Sequence, residues 1–400
     1  MKRYLIAIAI AAVAGGAWAQ GAPVVAPDTA APKDTPDASK ARLEVSGKVQ
    51  LDFIYDFNRV DPTWKTTLRP STIPVNCPGD AGCGKDGETV FSVRQSSVAF
   101  KGFVPTEVGE LKTELSLDLF NVGGANTGFR LLNAWGEIGR WGAGQYYTLF
   151  MNIDAFPNTI DYWGPSGMSF IRNPQVRYTA PLGEGTKLAF SFESPNSAID
   201  TGKASAVASN LGLQGRTQYP DVLAKYSMDR NWGHAELAGM IRSVGWESAA
   251  TPDNNPSGAK TGYGLNFGGW YNVGAKDRIT GTLIYGEGIA SYMNDGGVDL
   301  APGASFQAEL VKTLGWFLYY DHYWSERFSS SFGGSQHRQT NTDGQLDNAF
   351  RTGSYASANL LYKPARNVMV GVELLQGKLE LKDGQSNKDT RVQTTAQFKF

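Results

Sequence analysis

From Leu43 to Asn58 the chain alternates its side chains with a period of two. Leu43, Val45, Gly47, Val49, Leu51, Phe53, Tyr55 and Phe57 are apolar, aromatic or glycine, and the positions between them are polar apart from Ile54. Successive side chains point to opposite faces only in an extended strand, so this stretch predicts a strand with one apolar and one polar face. At sixteen residues it is far longer than the five or six of an ordinary strand.

The pattern recurs to the C-terminus in stretches of about ten residues, the length that crosses a bilayer as a tilted strand. Leu111, Leu115, Leu117 and Leu119 alternate with Lys112, Glu114, Ser116 and Asp118, and Val392, Ala396, Phe398 and Phe400 with Arg391, Gln393, Gln397 and Lys399. Counting the segments near 91, 129, 141, 174, 188, 220, 235, 262, 278, 305, 327, 353 and 368 gives sixteen in all, although between 305 and 323 both faces read as apolar. The connections alternate as well. Tight turns at 105–109, 139–141, 181–185, 229–233, 274–277, 324–326 and 363–367 interleave with long polar loops such as 61–89, 194–219, 244–261 and 335–352. Short turns on one rim and long loops on the other describe an all-β transmembrane antiparallel barrel of sixteen strands. Aromatic residues such as Tyr55, Phe57, Trp135, Tyr178, Tyr226, Tyr271, Tyr285, Tyr362 and Phe398 fall where interfacial belts would lie. The alternative is a secreted, soluble β-sandwich binding protein, whose strands also carry one apolar face.

Lys2 and Arg3, the apolar run 5–14 and Ala17-Trp18-Ala19 form a secretory signal peptide over 1–19. Residues 20–42, with Pro23, Pro27, Pro32 and Pro36 among Ala, Asp and Lys, read as a periplasmic linker ahead of a barrel spanning 43–400. This places the chain in the outer membrane of a Gram-negative bacterium after Sec-dependent export, with outer-membrane lipid and the barrel-assembly machinery as partners and Phe400 as the C-terminal assembly signal. No later apolar run reaches the roughly 18 residues of a spanning helix. A formal charge of -1 gives no basic surface for nucleic acid. Cys77 and Cys83 are the two cysteines of an exported chain, which predicts a disulfide across the first long loop.

The alternation stops between Thr148 and Pro174. Phe150, Met151, Ile153, Phe156, Ile160, Tyr162, Trp163, Met168, Phe170 and Ile171 make this segment too apolar for an exposed loop. It must pack on something, and folded into the lumen it would narrow the pore and set Asp154, Asp161 and Arg172 at a constriction. A plug or a subunit contact would also suit its composition. The run GQYYTLFMNIDAFPNTIDYWGPSGMSFIRNPQVRYTAP, with FSVRQSSVAFKG near 91, FRLLNAWGEIG near 129, YGEGIASYM near 285 and NLLYKP near 359, resembles the DcaP-like porins over residues 43–400. The resemblance implies a trimeric sixteen-stranded barrel with an inward-folded third loop and a preference for small anionic solutes such as dicarboxylates. By match to its motifs, Arg94, Arg130, Arg172 and Arg177 face the passage. The linker has no heptads, so a homotrimer would rest on the barrels themselves.

Strand phase assigns Lys48, Lys101, Lys112, Arg130, Arg177, Lys187, Lys225, Arg242, Arg278, Arg327, Arg391 and Lys399 to the lumen, against Glu44, Asp52, Asp56, Glu114, Asp118, Glu193, Asp221, Glu236 and Glu373. Twelve cations against nine carboxylates predict an anion-preferring diffusion channel, with about half of the charges paired across the wall. No catalytic function or cofactor is expected. Asp321 and His322 are adjacent and would point to opposite faces, and three scattered histidines offer no evident transition-metal ligand set. Gly79, Gly84 and Lys85 imitate a phosphate loop, but Asp86 stands where Ser or Thr must reach the metal.

Overall fold

The computed structural model describes residues 40–400 apart from 78, 80–82, 122–126 and 195. The predicted signal peptide and nearly all of the predicted linker lie outside the described residues. Sixteen antiparallel strands run Arg42–Asp56 (β1), Glu88–Ser92 with Ser97–Thr106 (β2), Gly109–Asp118 (β3), Arg130–Ile138 (β4), Trp141–Tyr147 (β5), Arg172–Gly183 (β6), Thr186–Glu193 (β7) and Leu213–Arg216 with Asp221–Arg230 (β8). They continue with Gly233–Ser248 (β9), Gly258–Val273 (β10), Asp277–Glu287 (β11), Lys312–His322 (β12), Phe328–Thr340 (β13), Phe350–Ala365 (β14), Val368–Leu381 (β15) and Ser386–Lys399 (β16). Each pairs with its sequence neighbour, and β1 pairs with β16 from Lys48↔Lys399 to Asp56↔Arg391. That seam closes the sheet into a barrel, so the sandwich alternative does not form.

The outer surface is apolar. Phe91 and Ile241 are 68% and 62% exposed, and Leu43, Val49, Phe192, Phe267 and Leu318 join them around the wall. A belt of this extent is untenable in water and suits lipid. Trp141 with Tyr178, Trp232 with Tyr271 and Phe328 with Tyr362 pair near the short-turn rim, while Tyr55 with Phe57 and Tyr263 with Tyr285 pair near the long-loop rim.

Three departures from simple alternation have local causes. Trp135 points inward, not into the outer belt, because the pairing steps from Leu117↔Leu131 to Ser116↔Asn133, which leaves Leu132 as an extra residue on β4 and reverses every later side chain of that strand. The strand expected near 305 begins only at Lys312, and both of its faces are apolar because Phe317 and Tyr319 are buried inside while Trp316 and Leu318 face out. The segment before it, 288–311, is a sixth loop that also folds inward: Ile289, Tyr292 and Asp299 are buried. The loops expected over 244–261 and 335–352 are shorter than read, since β9 runs on to Ser248 and β13 to Thr340.

The inner wall is polar on one side and apolar on the other. Leu223, Ala238, Met240 and Ile284 face the lumen and pack against Leu149 and Phe150 of the third loop (148–171) and Ile289, Tyr292 and Met293 of the sixth. Ile160 packs on Leu361 and Met369, and Ala155 and Met168 on Phe317 and Tyr319. Leu68 of the first loop covers Tyr355 and Leu375. Polar anchors fix the path. Glu373 accepts the N–H groups of Ile160 and Asp161 at 2.9 and 3.0 Å and the Asn359 amide at 2.8 Å, while Asn266 donates to the Phe150 carbonyl at 2.6 Å. The loops therefore cover the wall from β7 to β15, and open space remains beside β1–β6 and β16.

Replacing Glu373 with Ala removes the acceptor of three donors, each charge-assisted bond being worth about 1.5–3 kcal/mol. We expect Glu373→Ala to raise single-channel conductance and current noise in planar bilayers while the barrel keeps its heat-modifiable gel mobility. Unchanged conductance and noise would show that this carboxylate does not hold the loop.

Candidate functional site

The uncovered sector holds two connected cavities. The one toward the short-turn rim has a volume of about 440 Å³ and is bordered by Lys48 and Gln50 of β1, Gln397 and Lys399 of β16, Ser97 of β2, Asp118 of β3 and the loop from Ile153 to Phe170. The other, of about 220 Å³, is bordered by Arg130, Leu131, Gln145 and Asn294. Leu132, Tyr162, Trp163, Phe170 and Arg172 line both, so the two meet at a neck of three aromatic rings, one leucine and one guanidinium. Leu132 reaches the neck because the register shift between β3 and β4 lies beside it.

The neck is braced on every side. Tyr162 stacks on Phe120 with centroids 4.1 Å apart, and its hydroxyl donates to Asp118 Oδ2 at 2.8 Å. Burial raises the Tyr162 phenol above its ordinary pKa, so this hydroxyl stays a neutral donor. Trp163 donates Nε1–H to the Asn294 carbonyl at 2.8 Å, and the Arg69 guanidinium lies 4.1 Å from the Trp64 ring and 4.4 Å from the Trp163 ring. Arg69 in turn pairs with buried Asp295 at 2.9 Å, tying the first loop to the sixth. In the first loop, Cys77 and Cys83 form a disulfide.

The structure sorts the predicted residues into two groups. Arg172 borders both cavities; it donates to Asn133 Oδ1 at 3.1 Å and to the Tyr147 hydroxyl at 2.7 Å, lies over the Tyr147 ring and has no carboxylate in ion-pair range among the described residues. Arg130 borders the upper cavity with its charge engaged by Asp118 (Nη2–Oδ2 2.5 Å). Arg177 faces inward but donates to Gln175 Oε1 at 2.9 Å and to the Tyr147 carbonyl, outside both cavities.

Four arginines assigned to the pore are clamps. Arg94 sits in the break of β2 and donates to Thr66 Oγ1 at 2.8 Å and to the Asn121 carbonyl, joining the first two loops to the wall. Arg242 is buried between Asp221 (3.2 Å) and Asp299 (3.5 Å), with the Gly288 carbonyl at 3.0 Å, and holds the sixth loop. Arg278 pairs with Asp321 at 2.9 Å beside the Phe156 carbonyl. Arg391 grips Asp56 at 2.5 Å and lies 3.8 Å from Asp161. Strand phase shows which way a side chain points but not whether a folded-in loop brings it a partner, and that is why Arg242, Arg278 and Arg391 read as pore residues; Arg94 reads so only through the family resemblance.

Neither loop acid offers a free carboxylate to the opening. Asp161 is buried and accepts from the Thr67 hydroxyl, the Leu68 N–H and the Gly164 N–H at 3.0–3.1 Å. Burial raises its carboxyl above the usual range, against the pull of Arg391 and these donors. Asp154 borders neither cavity and lies instead beside His234 and Glu236 of β9. Four cations, Lys48, Arg130, Arg172 and Lys399, thus border the passage against the two engaged acids Asp118 and Asp161. The residues predicted for the pore do not include the neck aromatics Tyr162, Trp163 and Phe170, although the apolar content of 148–174 is their signal.

The chain matches the model of the family described as DcaP outer membrane protein over residues 24–400. A sequence comparison with curated proteins finds no match. The crystal structure of the outer membrane channel DcaP of Acinetobacter baumannii superposes with a TM-score of 0.78 at 20% identity, covering 90% of this chain and 97% of that one. The anion-selective porin from Comamonas acidovorans gives 0.58 at 11% identity, covering 90% and 100%. Salmonella typhi OmpF in complex with daunomycin gives 0.55 at 10% identity, covering 90% and 97%. At such identities the likeness concerns the fold, a sixteen-stranded porin barrel. The family match extends over nearly the whole sequence, and the chain belongs to the DcaP outer membrane protein family.

Proposed function

We propose that this barrel is a passive diffusion channel that admits small hydrophilic solutes and prefers anions such as dicarboxylates. The observation that carries the reading is Arg172, whose guanidinium stands at the neck without a carboxylate in ion-pair range among the described residues. A guanidinium held by neutral acceptors keeps its charge for a passing carboxylate, which it can bind through paired donors. Lys48 and Lys399, register partners across the β1–β16 seam, continue the positive lining toward the other rim. The walls of the neck are aromatic and of low dielectric, so each charge acts with less screening there. The relative from Comamonas acidovorans, described as anion-selective, is consistent with this reading. The channel carries out no reaction and needs no cofactor.

The further elements of the proposal are Sec-dependent export by residues 1–19, a periplasmic linker over 20–42 and assembly as a homotrimer. Phe400 is the C-terminal signal read by the assembly machinery: it is 62% exposed at the seam, where its N–H and carbonyl each bond Gly47 at 3.1 Å. Gly47 leaves room for it, since a Cβ there would come within 2.7 Å of the Phe400 ring. Light scattering of the detergent-extracted protein should give the mass of three chains, and a single-chain mass would contradict the homotrimer.

In planar bilayers across a salt gradient, the reversal potential should report anion preference. That preference should shrink between 0.1 M and 1 M salt as the screening length falls from about 10 Å to about 3 Å. Arg172→Gln should lower it further at low salt, and a cation-selective wild type would contradict the proposal. In liposome uptake, succinate should enter faster than a neutral sugar of similar size, and equal rates would remove the anion assignment while leaving the channel intact.

A further inference from the structure

Folding the third loop into the barrel assembles a ligand set that neither the loop nor the wall contains alone. Asp154 lies on a short 3-10 turn, Ile153–Ala155, capped by the Asn152 side chain, whose Oδ1 accepts the Ala155 N–H at 3.1 Å. The turn presents the exposed Asp154 carboxylate to β9, where His234 and Glu236, two residues apart, both face inward. One ligand atom from each of the three side chains lies within 4.8 Å of the others.

Two of these groups are built to receive something. His234 and Glu236 are 4% and 5% exposed, and His234 Nε2, with Glu236 Oε1 3.3 Å away, and Glu236 Oε2 have no hydrogen-bond partner among the described residues. Leaving buried polar atoms unpaired is costly, so a third party that satisfies both is favoured. The other side of each group is already held. His234 Nδ1 lies 2.7 Å from Asp229 Oδ1, an arrangement that places the ring proton on Nδ1 and leaves the Nε2 lone pair directed at Asp154 and Glu236. Glu236 Oε1 is taken by Lys225 Nζ at 3.0 Å, which leaves Oε2 as its donor atom. The Trp270 ring lies nearly parallel to the imidazole, at 19° with the centroids 6.3 Å apart.

We propose that His234 Nε2, Glu236 Oε2 and the Asp154 carboxylate form a binding site for a divalent transition-metal ion of the zinc class, with a fourth position open to water. One imidazole nitrogen and two carboxylate oxygens suit zinc at bond lengths of about 2.0–2.2 Å, whereas calcium and magnesium take all-oxygen sets. Tetrahedral ligands at those lengths stand about 3.4 Å apart, and rotation of the exposed Asp154 side chain closes the remaining distance. The Asp229–His234 pair supplies the carboxylate behind a ligating histidine that commonly orients zinc ligands. The ion bridges loop and wall: Ile153 and Phe156, on either side of Asp154, line the lower cavity, so metal binding pins the part of the loop that forms one side of the passage.

The test is zinc titration by calorimetry on the purified full chain in detergent, with the absorption spectrum of cobalt(II) as a second readout of ligand geometry. Wild type should bind one ion per chain. Asp154→Asn and His234→Gln should each weaken zinc binding at least tenfold, and Asp229→Asn by about 10–100-fold. His322→Gln removes the imidazole that pairs with Asp277 at 2.7 Å on β12 and should leave the affinity unchanged. Should His234→Gln fail to fold, Asp154→Asn decides the matter, because its side chain is exposed on the loop. The proposal is overturned if wild type shows no saturable single-site binding, if Asp154→Asn binds as tightly as wild type, or if His322→Gln is the variant that abolishes binding.

Discussion

The rest of the structure depends on one constraint: inside a bilayer every backbone N–H and C=O must find a partner within the protein. Strands meet that requirement only when the last pairs with the first, as β16 does with β1 from Lys399↔Lys48 to Arg391↔Asp56. Closure at sixteen strands leaves a lumen too wide for wall side chains to fill. The barrel therefore needs material from its loops, and where that material goes decides which part of the lumen stays open.

The filling is lopsided because the inner wall is. From β7 to β15 it offers Leu223, Met240, Ile284, Phe317, Tyr319, Leu361 and Met369, and the apolar residues of the third and sixth loops bury themselves there. Buried acids and arginines then hold the loop backbone: Glu373 on Ile160 and Asp161, Arg278 on Phe156, Arg242 on Gly288. Charged side chains so committed are structural, however clearly they point inward. The passage falls by exclusion to the polar sector of β1–β6 and β16, where Arg172, Lys48 and the neck aromatics border the open space. The same docking carries Asp154 across the lumen to His234 and Glu236.

Much of this was legible in the sequence, for physical reasons. Period-two alternation encodes two-faced strands, the tight turns mark one rim, and a 27-residue interruption rich in aromatics announces a loop that must be buried. The parts that could not be read depend on contacts between distant segments. A single bulge opposite Ser116 turns Trp135 from the outer face to the inner one. Phe317 and Tyr319 are apolar on an inward face because a loop some 150 residues earlier covers them, so local pattern alone could not settle the phase of 305–323. The three histidines looked scattered because Asp154 joins His234 only through the fold.

On this arrangement solutes see only one sector of the inner wall. Single cysteines introduced by Ser97→Cys on β2, which borders the lower cavity, and by Ser357→Cys on β14, which lies buried beneath the folded loops, test it directly. With a charged, membrane-impermeant thiol reagent applied during bilayer recording, S97C should be modified rapidly with loss of current and S357C should not react. Equal reactivity at the two positions, or current loss at S357C alone, would contradict it.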